Sequence, residues 1–339
     1  MRTTPAILTT AFLLTGLASA QTDKTFYFTQ AMTVDDMTAV TTMIRTVVDL
    51  QDIVPDEEHH ALKARGPLDK LVAADWIFQQ VDRPAATGAT PEYKMTGKHE
   101  EVMRMFRISP AATNAQLTAI VTAIRTVADL QRLFPYQKLN AIVGRGEPEK
   151  MALADWMVGQ LSPFDGDAPT ADSPVVPSPL RDPKGVPLGD VVQVLRIDPK
   201  TTTAELTGAV TAIRTVADIQ RLFPYQGGQA GQAIICAAAP EKIAVAAWLV
   251  GELSKPADIG GVHQTAMPGV LDGMVRLFDT GANTSADLAS LAAEIRETLG
   301  IQRLFPLAGR SAIVVRGRPD QISSADALVA QFVAHHSGR

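Results

Sequence analysis

Four arginines, Arg45, Arg125, Arg214 and Arg296, stand at the same place in four copies of one segment. Guanidiniums at a fixed spacing would suit a strip of anion or partner contacts. A cation is also favoured by the dipole in the last turn of a helix, and that reading is preferred. His59-His60 and His335-His336 offer ring nitrogens, and Asp56-Glu57-Glu58 offers carboxylates beside the first pair. Adjacent side chains point apart, and neither pair has a metal-holding spacing such as H-x3-H. A solvated loop is preferred, so neither a metal nor another cofactor is expected. Gly227-Gly228 with Gly231 lacks the Gly-Lys-Ser/Thr ending of a phosphate loop. Arg65-Gly66, Arg145-Gly146 and Arg316-Gly317 precede helix starts, where backbone N–H groups can take an anion. An acid in each following first turn opposes this, and turn glycines are expected instead. With no G-x-S-x-G elbow, Cys–His pairing or repeated carboxylate pair, no catalytic residue is assigned and no enzyme is expected.

The elements around these residues repeat. Residues 122–136, TAIRTVADLQRLFPY, return as 211–225 with Ile219 for Leu130 as the one change. Looser copies begin at Thr42 (TMIRTVVDLQDIVP) and Ala293 (AEIRETLGIQRLFP). The third copy reads most clearly. VVQVLRI is a β-branched run closed by Asp198-Pro199. A helix follows in which Leu206, Val210, Ile213 and Ala217 mark one face, capped by Thr202 or Thr203. Asp218, replaced by Gly300 in the last copy, suits the left-handed residue that ends a helix. Residues 219–223 form a second strand ended by Pro224, and 233–237 a third across a turn. Pro240, Pro148 and Pro319, with Pro67 one place earlier, open a second helix.

The expectation is an α+β chain of four tandem β-α-β-β-α modules, each a three-stranded sheet covered on one face by two helices. They are placed at 24–84, 102–162, 190–254 and 273–336. A module of this size is marginal alone, which invites stacking. Residues 163–189 carry seven prolines and are expected to be an extended linker.

The second helix holds the sharpest signal. Its apolar stripe in the third copy is Ile243, Ala246, Leu249, Val250 and Leu253. Trp76, Trp156 and Trp248 fall about 155° from the centre of that stripe on helical geometry. Tryptophan is enriched at interface hot spots. Each ring is expected to pack on a neighbouring module, a linker or a partner, the alternative being a ring flat on its own helix. The fourth copy has Ala327 there.

Arg2, the apolar stretch 6–17 and Ala18-Ser19-Ala20 have the pattern of a secretory signal in residues 1–20. No later stretch suggests a transmembrane segment. Cys236, the sole cysteine, excludes an intramolecular disulfide and reads as a small buried hydrophobe. A net charge of −5 gives no electrostatic reason to bind nucleic acid.

The β-α-β-β-α order, the apolar first strand, the hairpin after the first helix and the run AIVVRGRPDQI into the second helix resemble the periplasmic N-terminal modules of bacterial secretins, the NolW-like, ring-building domains. That resemblance implies a Gram-negative periplasmic protein whose modules contact protein partners of the cell envelope or each other. No pore-forming β-domain is expected with these modules. The expected function is thus an exported interaction scaffold accessory to envelope assembly or secretion. A periplasmic small-molecule or glycan binder using inter-module clefts is the alternative.

Overall fold

A computed structural model describes residues 21–83, 90–96, 100–163, 170–227, 231–267, 273–282 and 284–336. The secretory signal expected in residues 1–20, Gly228 and parts of the connecting stretches lie outside the described residues. The chain divides into two compact units, one ending at Asp82 and one beginning at Arg83.

The first unit runs β1 (Thr22–Tyr27), α1 (Val34–Val47), β2 (Ile53–Asp56), β3 (Ala61–Gly66) and α2 (Leu68–Asp82), with antiparallel sheet order β1-β3-β2. Its helices cover the face bearing Phe26, Ile53, Leu62 and Ala64, all buried. Phe78 of α2 meets Phe26 and Phe28 with ring centroids 5.3 and 4.7 Å apart.

The second unit repeats this order three times, and each time gains a strand from the connecting stretch. Its second module is β4 (Glu92–Lys94), β5 (Val102–Arg107), α3 (Asn114–Val127), β6 (Leu133–Tyr136), β7 (Ala141–Gly146) and α4 (Pro148–Leu161). The third is β8 (Val176–Pro177), β9 (Val191–Ile197), α5 (Thr203–Val216), β10 (Arg221–Gly227), β11 (Gly231–Ala238) and α6 (Pro240–Leu253). The fourth is β12 (His263–Ala266), β13 (Met274–Asp279), α7 (Ser285–Leu299), β14 (Leu304–Leu307), β15 (Ala312–Gly317) and α8 (Pro319–His336). The sheet orders are β4-β5-β7-β6, β8-β9-β11-β10 and β12-β13-β15-β14, all antiparallel. The proline-rich stretch is therefore more than a spacer. Val176 pairs with Val192 and Pro177 with Val191, and the Ser173 amide donates to the Val194 carbonyl at 2.9 Å.

Local chemistry explains the element ends. Thr202 caps α5, its hydroxyl accepting from the Glu205 amide at 3.2 Å while the Glu205 carboxylate accepts from the Thr202 amide at 2.8 Å. Asp49, Asp129, Asp218 and Gly300 have φ of 62, 53, 57 and 66°, the left-handed stop expected of them. Lys242 of α6 then ties that corner down, donating to the Asp218 carbonyl at 3.0 Å. In the fourth copy both charges are gone, and Gln321 donates to the Leu299 carbonyl at 3.1 Å instead.

Two expectations need correction. Pro224 does not end its strand: it pairs with Ile234, and the ladder continues to Gly227. β10 is an edge strand, where a residue without an N–H is tolerated. The Arg-Gly glycines are not turn glycines. Gly66 and Gly146 end central strands, where a β-carbon would run into the side chains of Leu50 and Leu130.

Candidate interaction interface

The stripe read along the first helix of each module lies against its own sheet, but α3 and α5 also bury a second stripe. In α3 this is Ile120, Ala123 and Val127, and in α5 Ala209, Ala212 and Val216. The second stripe of α3 shares one core with Val192 and Val194 of β9, Tyr225 of β10 and Ala233, Ile235 and Ala237 of β11. The alternate residues Ile234, Cys236 and Ala238 face the core of their own module. The next junction repeats this arrangement. The α5 stripe joins Val275, Leu277, Leu307, Ala312 and Val314, while Ile313 and Val315 face inward. Each of these sheets is therefore covered on one face by its own helices and on the other by the preceding module. Burying one aliphatic side chain is worth about 1.5–3 kcal/mol. A few such residues per junction match the whole margin of a typical domain, about 5–15 kcal/mol.

Polar fasteners cross both junctions. At the first, Arg196 donates to the Gln160 carbonyl at 2.7 Å, and the Tyr225 hydroxyl lies 3.5 Å from the Leu161 carbonyl. Both acceptors are in the last turn of α4, where carbonyls lack helical partners. At the second, Arg310 donates to the Glu252 carbonyl at the end of α6 and to the Lys255 carbonyl at 2.8 Å. Asp279 orients it, with Nε–Oδ1 at 2.6 Å and the carboxylate 1% exposed. Burial pushes the Asp279 carboxyl up, but Arg310 and the Asp258 amide outweigh it and hold the group below its usual range. Arg316 reaches the Val216 carbonyl at 3.1 Å, and Arg303 meets Asp218 at 3.2 Å.

The fourth module's first helix and, within its own unit, the first module's sheet depart from this pattern. In α7 the second stripe reads Leu291, Glu294 and Thr298, with Glu294 and Thr298 exposed where Ala212 and Val216 are buried. In the first module the sheet face away from its helices carries Lys63 and Arg65, both exposed, and Asp56, which meets Lys63 at 2.6 Å. Tyr27 and Val54 on that face are 63% and 47% exposed.

Arg45, Arg125, Arg214 and Arg296 perform one job in every copy. Each Nη2 donates to a carbonyl eight residues on, those of Ile53, Leu133, Leu222 and Leu304, at 2.6, 2.9, 3.2 and 3.3 Å. They strap the helix end to the second strand. Trp76, Trp156 and Trp248 are half-buried, the latter two against clusters that include their own modules' cores. Ala327 is exposed. Cys236 is fully buried, and desolvation pushes its thiol up to about 12.

His59 lies 3.0 Å from Asp56 in an exposed hairpin, while Lys63 also occupies that carboxylate and, with His59, lowers it to about 2. Sequence reasoning passed over His263, which ties β12 to the end of α6 through Glu252 at 2.8 Å. Its sequence signal is faint, since a lone histidine in a linker has no spacing to read. Among the described residues no cluster of three metal-ligating side chains occurs. Between the third and fourth modules lies a cavity of 630 Å³, walled by Gly208, Ala209, Val250, Leu253, Phe305 and Leu307 among others. Neither histidine lines it.

No family model matches this chain, and no curated protein does. Solved structures do align with it, the following two among them. One is Aeromonas hydrophila ExeD, at 12% identity over 70% of this chain and 41% of that one, with a TM-score of 0.16. The other is the ETEC pilotin–secretin AspS–GspD complex, at 10% identity over 82% of this chain and 49% of that one, also with a TM-score of 0.16. This chain spans less than half the length of either. A likeness of that size carries no argument about fold or function.

Proposed function

We propose that the chain is an exported, non-enzymatic scaffold for protein–protein contact in the cell envelope, with secretin-N-domain-like modules as its parts. The observation that carries this reading is the repeated junction, in which one module's helix and the next module's sheet share a core twice in succession. Polar groups that chemistry would need are spent on joining modules, as with Asp279, Arg310 and Glu252. In this reading residues 1–20 are a leader removed on export, the four modules occupy the ranges given above, and the mature protein is periplasmic. The four arginines serve the frame. Trp76, Trp156 and Trp248 remain the candidates for contact with a linker, a neighbouring module or a partner.

The test is affinity capture of the tagged full chain from envelope extracts, with mass spectrometry of what is retained. Secretion or cell-wall proteins retained by the native chain, and lost when the tryptophans are replaced, are the expected result. A chain that retains no envelope protein, or turns over a substrate, overturns the reading.

A further inference from the structure

The two junctions of the second unit are built from the same parts, so each position in one has a counterpart in the other. Three counterparts are smaller at the second junction: Ala119, Ile120 and Tyr225 are answered by Gly208, Ala209 and Leu307. Ile120 and Tyr225 are 0% and 1% exposed in the closed core of the first junction. Gly208, Ala209 and Leu307 instead line the 630 Å³ cavity. A β-carbon on Gly208 would stand 3.6 Å from Leu307, an ordinary contact, so nothing nearby demands glycine there. Protein interiors are close-packed, and side-chain volume removed without replacement is destabilising. Three reductions at one place leave room for something that is not part of the chain.

We infer that this cavity is a binding site for a small, neutral ligand carrying a phenol ring. Its volume lies within the range of ligand clefts, about 300–1,000 Å³. Val250, Leu253 and Phe305 make its walls largely apolar. Of the charged groups in its lining, Arg310 is matched by Asp279, Glu205 by the amide and hydroxyl of Thr202, and Asp198 by the Lys200 amide, while Lys200 itself is exposed. A sugar would need several free partners for its hydroxyls, since polar groups buried without partners are costly. The chain itself shows what fits. At the first junction the ring of Tyr225 takes this place with its hydroxyl toward the Leu161 carbonyl. The counterpart of Leu161 is Leu253, in the cavity wall. A ligand phenol replaces the missing tyrosine ring, its hydroxyl directed to the Leu253 carbonyl. The site stands apart from the scaffold reading, because it is tested on the purified chain with no partner present.

The experiment titrates the purified full chain with 4-ethylphenol and with ethylbenzene, by calorimetry and by amide chemical shifts. The same titrations are run on Gly208→Ala/Ala209→Ile/Leu307→Tyr, which rebuilds the first junction at the second. 4-Ethylphenol is expected to bind roughly tenfold more tightly than ethylbenzene, about the worth of one neutral hydrogen bond. It should shift the amides of residues 208, 209, 305 and 307, and the rebuilt variant should lose at least about tenfold in affinity, one hydrogen bond's worth or more. No binding, shifts confined to other residues, or undiminished binding by a folded variant would each overturn the site. Equal affinity for the two probes overturns the phenol assignment. Should the triple variant fail to fold, the native amide shifts and the Leu307→Tyr single variant decide.

Discussion

Leu130 fills the space that a β-carbon on Gly146 would need. Its counterpart in the nearly identical third copy is Ile219, and there the strand ends in Ala238 instead of glycine. The one difference between the two fifteen-residue repeats is thus matched by a second change across the core. A β-branched side chain of the same size distributes its carbons differently and leaves room for the extra methyl.

This pairing predicts a rescue. Gly146→Ala should destabilise the chain by about 1–3 kcal/mol through overpacking. Adding Leu130→Ile should restore more than half of that. Urea unfolding of the two single variants and the double variant gives the coupling directly; additive effects would show that the two positions are independent.

Asp279 should set part of the acid response. A carboxyl depressed in the folded state stabilises above its unfolded pKa, about 3.9, and that contribution is lost as pH falls through the folded value. Asp279→Asn, which leaves Arg310 uncompensated, should cost about 3 kcal/mol at neutral pH. The gap to the native chain should narrow below about pH 4, where the unfolded-state carboxyl takes up its proton ahead of the native one. Unfolding curves at pH 7 and pH 3 measure both.

The exposed face of α7 predicts what its acids prevent. Glu294→Ala, Glu297→Thr and Thr298→Val would give α7 the residues that α5 uses to cover a sheet. That variant should self-associate at concentrations where the native chain does not, as read by sedimentation velocity. An unchanged sedimentation coefficient would mean that the acids do not close the array.

Cys236 should resist thiol reagents in the native state, because the thiol is buried and held up to about 12. Labelling should appear only with unfolding. Rapid modification at pH 8 would place the residue elsewhere.

Much of a module was legible because its signals are local. Thr202, Asp218 and Pro240 announce helix ends by caps, backbone conformation and a missing N–H, all settled within a few residues. The second stripe was harder to read. Ile120, Ala123 and Val127 look like the margin of a broad apolar face until the sheet they cover is known. What marks them in retrospect is the run Ala233–Ile234–Ile235–Cys236, apolar without alternation, as a strand buried on both faces must be. Pro224 misled because strand position, edge or centre, depends on distant pairing. The added strands β4, β8 and β12 run for only two to four residues, too short for a period to be detected. The cavity becomes visible only when two junctions are compared residue by residue.

The surface a module offers forward is made by its first helix, and the surface it offers backward by its sheet. Both therefore travel together in one stretch of coding sequence. Duplicating an interior copy produces a new joint whose halves already fit, and excising one brings compatible halves together. Array length can change in whole steps without any joint being invented afresh. Drift within a copy, such as the loss of volume at Gly208, Ala209 and Leu307, can then give a single joint a task its sisters lack.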